Sequence, residues 1–282
     1  MMLLTLAALP FFGCTRGGDD SSSPSDSEQV EAIDTGFIEV SASTFEMGCT
    51  AGQTGCSARY ESQHTVTLTH DYYMGATEVT QGQFEAAMQY NPSYFSDCGE
   101  DCPVEQVSWH EAAAYANAVS AEAAIQQCYA CTGTGPTLIC LEEVDPYECE
   151  GYRLPTEAEW EGAARSGTDL LYSGSNICDD VAWTAQNSGS TPHPVAGLAR
   201  NDGDLYDMSG NVWEWNNDGY GTYGSEPVTD PEGDSTGCCR NVRGGAWSGG
   251  VTNARVSIRY YVAPDGFDRL IGFRIARAVQ PE

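Results

Sequence analysis

The residues with the most chemical potential in this sequence are its sulfurs and imidazoles. There are twelve Cys and four His, while every basic side chain is Arg and Lys is absent. Without Lys there can be no Schiff base and no lysine-bearing phosphate loop. The imidazoles do not converge. His64 and His70 flank one β-like run, on one strand face by parity but about 20 Å apart, while His110 falls in a helical stretch and His193 in a loop. No metal triad is visible. No Gly-x-Ser-x-Gly marks a nucleophilic serine, although a Ser-His-Asp set assembled from distant segments stays open.

The cysteines cluster in short loops. Cys49 and Cys56 bracket one loop, Cys98 and Cys102 another, and Cys128, Cys131, Cys140 and Cys149 form an insertion. The insertion opens Cys-x-x-Cys, as a zinc knuckle would, but its second half is Cys-x8-Cys. Glu142, Glu143, Asp145 and Glu148 suit either a cation or a solvated loop, and disulfides are the better reading. Cys178, Cys238 and Cys239 remain. So many cysteines point to an oxidising compartment.

The start of the chain agrees. Leu3 to Phe12 is an apolar run ending in Gly13-Cys14, too short to span a bilayer but suited to a signal peptide. A small residue before Cys resembles a bacterial lipoprotein cleavage site, which would leave Cys14 as a lipid-bearing N-terminus. Phe11 stands where Leu is usual and no basic residue precedes the run, so an ordinary secretory peptide or a misplaced start remains the alternative. If Cys14 carries lipid, at least one of the other eleven thiols stays unpaired or pairs between chains. Residues 15–36 are rich in Gly, Ser, Asp and Pro and read as a flexible tether. The expected division is therefore 1–14 leader, 15–36 tether and 37–280 one domain.

Composition narrows the function. With 41 acidic against 12 basic residues the formal charge is −29. Such a surface repels phosphate backbones, so nucleic acid is not an expected partner. Contact with a membrane is expected only through the lipid anchor, at the cell envelope of an exporting bacterium.

Three capping boxes position the helices: Thr80 with Gln83, Ser108 with Glu111, and Thr156 with Glu159. They predict helices over 81–90, 109–126 and 157–165. Short β-like runs occur at 37–40, 65–69, 72–79, 255–262 and 272–276. Between about 166 and 250 the chain is mostly Gly, Asn, Asp, Ser and Pro, a loop length usually functional or held by metal and disulfides. The fold class is α+β with few regular elements.

Seven segments taken in order carry a family resemblance. They are Phe45–Gly48, Glu78–Phe84, Pro103–Trp109, Gly151–Trp160, Leu205–Trp215, Arg243–Trp247 and Ile271–Arg274. Together they resemble the formylglycine-generating enzyme, or sulfatase-modifying factor, superfamily, which includes ergothioneine-synthase-type and pyoverdine-maturation proteins. The resemblance implies a variant of the C-type-lectin-like fold with little regular structure and bound calcium. It places calcium at Asp207, Gly210, Val212 and Glu214. Two carboxylates and two carbonyls closed by a Gly-Asn turn are reasonable oxygen ligands, and calcium is the better reading over a tight turn whose backbone N–H groups satisfy both acids.

The resemblance also implies where copper would sit. Formylglycine-generating enzymes oxidise a substrate Cys with copper on two thiolates, and soft sulfur suits Cu(I). Aligned on Arg243-Gly-Gly245, those positions are Gly249 and Ala254, and the accompanying Ser is matched by Ala246. Copper is therefore not expected. The His triad of the ergothioneine type is also missing. What remains is a groove for a protein, peptide or glycan, to which Trp213, Trp247, Arg255 and Arg259 are assigned, with Trp215, Tyr260 and Tyr261 nearby. Aromatic and Arg side chains dominate binding hot spots. The expected function is an exported, lipid-anchored binding or scaffold module that has lost the copper site. The alternative is a superfamily oxidoreductase that modifies a secreted protein or peptide.

Overall fold

A computed structural model describes residues 36–50, 52–234 and 237–279. The expected leader, Cys14 and nearly all of the tether lie outside the described residues, so nothing structural is said of them. Among the described residues no helix is long and apolar enough to cross a membrane.

The architecture is α+β, with short strands and few helices. β1 (Phe37–Val40), β2 (Ser43–Met47), β3 (His64–Leu68) and β4 (Tyr72–Gly75) come first, followed by α1 (Gln81–Met88) and α2 (Trp109–Glu122). The hairpin β5 (Tyr129–Thr132) and β6 (Ile139–Glu142) precedes α3 (Glu157–Arg165) and the single-turn α4 (Cys178–Val181). The last part holds β7 (Trp213–Gly219), β8 (Val228–Thr229), β9 (Arg240–Arg243), β10 (Tyr260–Val262), β11 (Ile271–Gly272) and β12 (Ala276–Ala278).

All three capping boxes form, each with the side-chain acceptor and the reciprocal Glu or Gln in place. Two helices stop short of the expected boundary because a residue turns left-handed: Gln89 at φ 65° after α1, and Ala124 at φ 56° just past α2. The expected strand over 255–262 forms only at its end. Its first half is drawn into turns, with Ile258 N–H donating to the Arg255 carbonyl.

Strand order explains how the C-terminal half is organised. β10-β9-β7-β11 form one sheet, β1-β4-β12 a second and β2-β3-β8 a third. β7 pairs antiparallel with β9, with Glu214 opposite Arg243, and parallel with β11, with Glu214 opposite Gly272. Two main cores result. Trp109, Trp215, Phe84 and Phe273 fill one, and Trp160, Met47, Val66 and Met208 the other.

The cysteine loops close as Cys49–Cys56, Cys98–Cys102, Cys128–Cys149 and Cys131–Cys140. Cys131 and Cys140 face each other across the β5–β6 hairpin. The insertion is thus held by two disulfides rather than a knuckle. The long segment 166–250 contains strands, and among the described residues no disulfide closes it. Buried amides do the holding. Asn201 donates to the carbonyls of Ala163 and Ala164 and accepts from the N–H of Gly203 and Leu205. Such paired buried polar groups specify one loop path, because an unpaired one would cost about 1–3 kcal/mol.

Candidate functional site

Buried ion pairs form the frame around which the site is built. Arg274 donates twice to Glu214, from Nε and Nη2 at 2.6 Å each, and its other bonds reach the carbonyls of Gly75 and Tyr206. Trp160 Nε1 adds a third bond to Glu214 at 2.7 Å. One guanidinium therefore ties β4, the loop before β7 and β7 itself together. α3 is anchored in the same way. Arg153 forks onto Glu159, Arg259 forks onto Glu157, and Arg243 pairs with Glu161. Burial alone would raise the Glu157 carboxyl, but Arg259 and Arg243 outweigh it and hold the group below its ordinary range. Glu157 and Glu161 are buried counter-ions.

Beside Glu214 lie two more buried acids. Glu78 and Asp207 lie beside each other, and Asp207 Oδ2 accepts the Ala196 N–H at 2.7 Å. Burial, then the neighbouring Asp207 and Glu214, raises Glu78 well above the carboxylate range. Burial likewise pushes Asp207 up to about 6. Glu78 Oε1 has no hydrogen-bond partner although the residue is buried. Three carboxyls thus face one guanidinium, Arg274, and the surplus is balanced by protons or by a cation.

This donor set can be tested against calcium. Three of the roughly four lone-pair positions of the Glu214 carboxylate are already taken, so Glu214 can offer only a share of one oxygen. Among the described residues no three His, Cys, Asp or Glu side chains converge in metal-holding geometry. Any ion would therefore depend on backbone oxygens, for which the turn is suitably shaped. Gly210 sits at φ 80°, and a Cβ there would lie 2.4 Å from the Trp183 carbonyl. Asn211 follows at φ 56° and is stapled by the His193 backbone and by Glu78. Asp207 and Glu78 are the acids beside this turn, and oxygen is the donor type a hard cation takes; the sequence reading did not single out Glu78.

The positions aligned with the copper thiolates lie in the loop after β9. Gly245 must be glycine: it adopts φ 82°, and a Cβ would come within 2.3 Å of the Asn253 carbonyl. Ala254 is buried against Tyr172, Cys178, Val181 and Ala182, and Ala246 is buried too. Gly249 has no side chain, and its N–H donates to the Ala246 carbonyl. The one sulfur in this cluster, Cys178, is buried, and its thiol is pushed up to about 11 by burial and then Asp179.

The four residues assigned to the groove separate into different settings. Trp247 packs edge-on against Phe95, with Arg269 near its ring face. Arg255 reaches the carbonyls of Thr252 and Thr54, with Glu61 at 3.7 Å. Arg259 is neutralised by Glu157 and lies over the rings of Tyr223 and Tyr220. Trp213 alone joins the surface tyrosines. It meets Tyr260 at 6.1 Å between centroids, Tyr260 meets Tyr261 at 5.4 Å, Tyr261 meets Tyr220 at 4.7 Å and Tyr220 meets Tyr60 at 5.4 Å. Tyr260 and Tyr261 are 56% and 48% exposed. This five-ring row takes Trp213 from β7, Tyr260 and Tyr261 from the edge strand β10, and Tyr220 and Tyr60 from loops.

The row ends beside a cavity of 590 Å³ lined by Met47, His64, Glu157, Asp218, Tyr223 and Arg259, among others. That volume is typical of ligand pockets. Asp218 accepts the Glu157 N–H at 2.8 Å, and burial followed by Glu157 raises it well above the carboxylate range. Sequence reasoning missed both the cavity and Tyr60 and Tyr220, because they come from segments far apart in the chain. The Tyr260-Tyr261 pair on a short strand was the available signal.

Residues 23–279 match the sulfatase-modifying factor enzyme 1-like domain. The chain is 34% identical to the chaperone protein LppX of Paenibacillus barcinonensis over 77% of this chain and 83% of the relative. It is 31% identical to the formylglycine-generating enzyme of Streptomyces coelicolor over 62% of this chain, and spans only 52% of that enzyme. Among solved structures, Treponema denticola variable protein 1 superimposes with a TM-score of 0.75 at 31% identity, covering 86% of this chain and 94% of its own. PvdO from Pseudomonas aeruginosa shares the fold, with a TM-score of 0.67 at 20% identity over 86% and 94% of the two chains.

Proposed function

The chain belongs to the sulfatase-modifying factor enzyme 1-like family, and from that premise we propose that it is a non-catalytic binding or scaffold module of the bacterial cell envelope. The observation that carries this reading is the aromatic row from Trp213 to Tyr60. Rings that are rigid, amphipathic and partly exposed supply contact area at little entropic cost. Arg259 is spent on Glu157 and on holding Tyr220 and Tyr223 from beneath, so it shapes the row rather than capturing an anion. A net charge of −29 favours a neutral or basic peptide, protein or glycan over an anionic polymer.

The copper-aligned positions Gly249 and Ala254 support the same reading, because neither side chain carries a ligand atom. The relative of Paenibacillus barcinonensis bears the name chaperone protein, which is in keeping with a module that acts by binding. Four disulfides suit an exported domain. Anchoring through Cys14 is part of the proposal, and intact mass of native material beginning at a lipidated Cys14 is its test. Calcium at Asp207, Gly210 and Val212, with Glu214 shared with Arg274, is proposed as a structural ion that fixes the turn leading into Trp213.

The experiment is an array of neutral glycans and basic peptides probed with the domain and with its Tyr260→Ala and Tyr261→Ala variants. At least one ligand is expected to bind the domain, and each variant should weaken it by about tenfold, as for an interface aromatic. Ligands that bind all three proteins equally would remove the row from the account.

A further inference from the structure

Cys238 and Cys239 stand apart from the other described cysteines. Eight are paired and Cys178 is buried, while these two are consecutive, accessible and hydrogen-bonded to each other through their thiols. They line a cavity of 740 Å³ together with Glu232, Asp234 and Arg240. We propose that Cys238 and Cys239 form a reversible vicinal disulfide that acts as a redox switch on the aromatic face. The inference rests on the oxidising compartment implied by the four disulfides, and not on any particular ligand of the row.

The chemistry is thiol–disulfide exchange with a small or protein disulfide, R–S–S–R. Cys238, the more exposed sulfur, attacks as thiolate and releases RS⁻, leaving a mixed disulfide. Cys239 then attacks the Cys238 sulfur and expels the second RS⁻. Both thiol protons end on the two RSH products, so the two cysteines are oxidised by two electrons and one external disulfide is reduced. The contact with Cys238 pushes the Cys239 thiol up to about 11, which suits the residue that attacks second.

Two features make such a bond a switch rather than a staple. Consecutive α-carbons are about 3.8 Å apart across a trans peptide, below the roughly 4.4–6.8 Å usual for a disulfide. Strained and exposed disulfides are the readily reduced ones. The Cys239 carbonyl also accepts the Tyr220 N–H at 2.9 Å. Closing the ring must rotate the 238–239 backbone, and that motion reaches Tyr220, the fourth ring of the row.

Trypsin cuts this lysine-free chain at Arg, and the peptide 201–240 contains Cys238 and Cys239 and no other cysteine. The full mature chain would be treated with oxidised glutathione, quenched, alkylated and digested without reduction. The expected product is that peptide lighter by two hydrogens and unalkylated, becoming doubly alkylated after mild reduction that leaves the other four disulfides intact. Cys239→Ser should trap glutathione on Cys238, and Cys238→Ser should carry about tenfold less adduct. Thiols that stay alkylatable, a Cys239→Ser variant without adduct, or a cross-link between two chains would overturn the assignment. Amide exchange at Tyr220 should quicken by about tenfold on oxidation as its acceptor moves; an unchanged rate would overturn the coupling to the aromatic face.

Discussion

Arg274 and Glu214 form a wholly buried, two-bonded ion pair, and Trp160 Nε1 adds a third bond to the carboxylate. The pair joins the C-terminal strands to the strand that begins at Trp213. Its worth lies less in net attraction than in the loss incurred when half of it is removed.

Arg274→Ala should lower stability by about 3–5 kcal/mol, because it leaves Glu214 as an uncompensated buried charge, and Glu214→Ala should cost less, because Glu78 and Asp207 remain beside Arg274. The double variant Glu214→Leu with Arg274→Met should recover only part of that loss. Trp160 Nε1 and the carbonyls of Gly75 and Tyr206 would still lack partners. Denaturant melts read this directly, and an Arg274→Ala variant within 1 kcal/mol of the parent would contradict it.

Calcium separates from the ion pair by a different variant. An ion bound only by the folded chain stabilises it by about 2.7 kcal/mol at a hundredfold excess over Kd. A chelator should therefore lower the melting temperature of the parent and leave that of Asp207→Ala unmoved. A parent curve that is unchanged by chelator would remove calcium from the account.

Glu105 supplies one separable part of the pH dependence, beside Glu78, Asp207 and Asp218, which burial also raises. Its Oε1 accepts the Phe95 N–H at 2.7 Å and its Oε2 is buried without a partner. Burial pushes the carboxyl up to about 7. A carboxyl raised on folding favours the folded state when protonated, so this contribution is complete below about pH 4.5 and disappears as pH rises through 7. Glu105→Gln should flatten that decline and gain roughly 1–2 kcal/mol at pH 8 relative to the parent. Parallel pH–stability curves for the two proteins would refute the assignment.

Much of this fold is legible in the sequence because local chemistry reports it. Thr80, Ser108 and Thr156 mark helix starts that tertiary packing leaves untouched. Cys49 with Cys56 and Cys98 with Cys102 are legible as closed short loops, whereas the pairing within the four-cysteine insertion is not, and the seven ordered segments name the family. β7 is legible only as a motif. Its Asn216, Asn217 and Asp218 are poor strand formers that read as loop, yet they are buried, with Asn217 accepting from the Tyr129 hydroxyl and Asp218 from the Glu157 N–H. Arg255 and Arg259 read as groove residues because their counter-ions, Glu61 and Glu157, lie roughly a hundred or more positions away. The same distance in sequence hides the aromatic row. Tyr60, Tyr220 and Tyr261 become neighbours only when the sheet forms.

The central claim is that this domain binds without carrying out copper chemistry. Its most direct test is mass spectrometry of a sulfatase-type cysteine peptide after incubation with the Cu(I)-loaded domain in oxygen. The peptide is expected to remain a thiol, because Gly249 and Ala254 offer copper no sulfur and Ala246 offers no hydroxyl. Conversion of its cysteine to formylglycine would contradict the account and would assign the metal to other thiols, with Cys238 and Cys239 the first to examine.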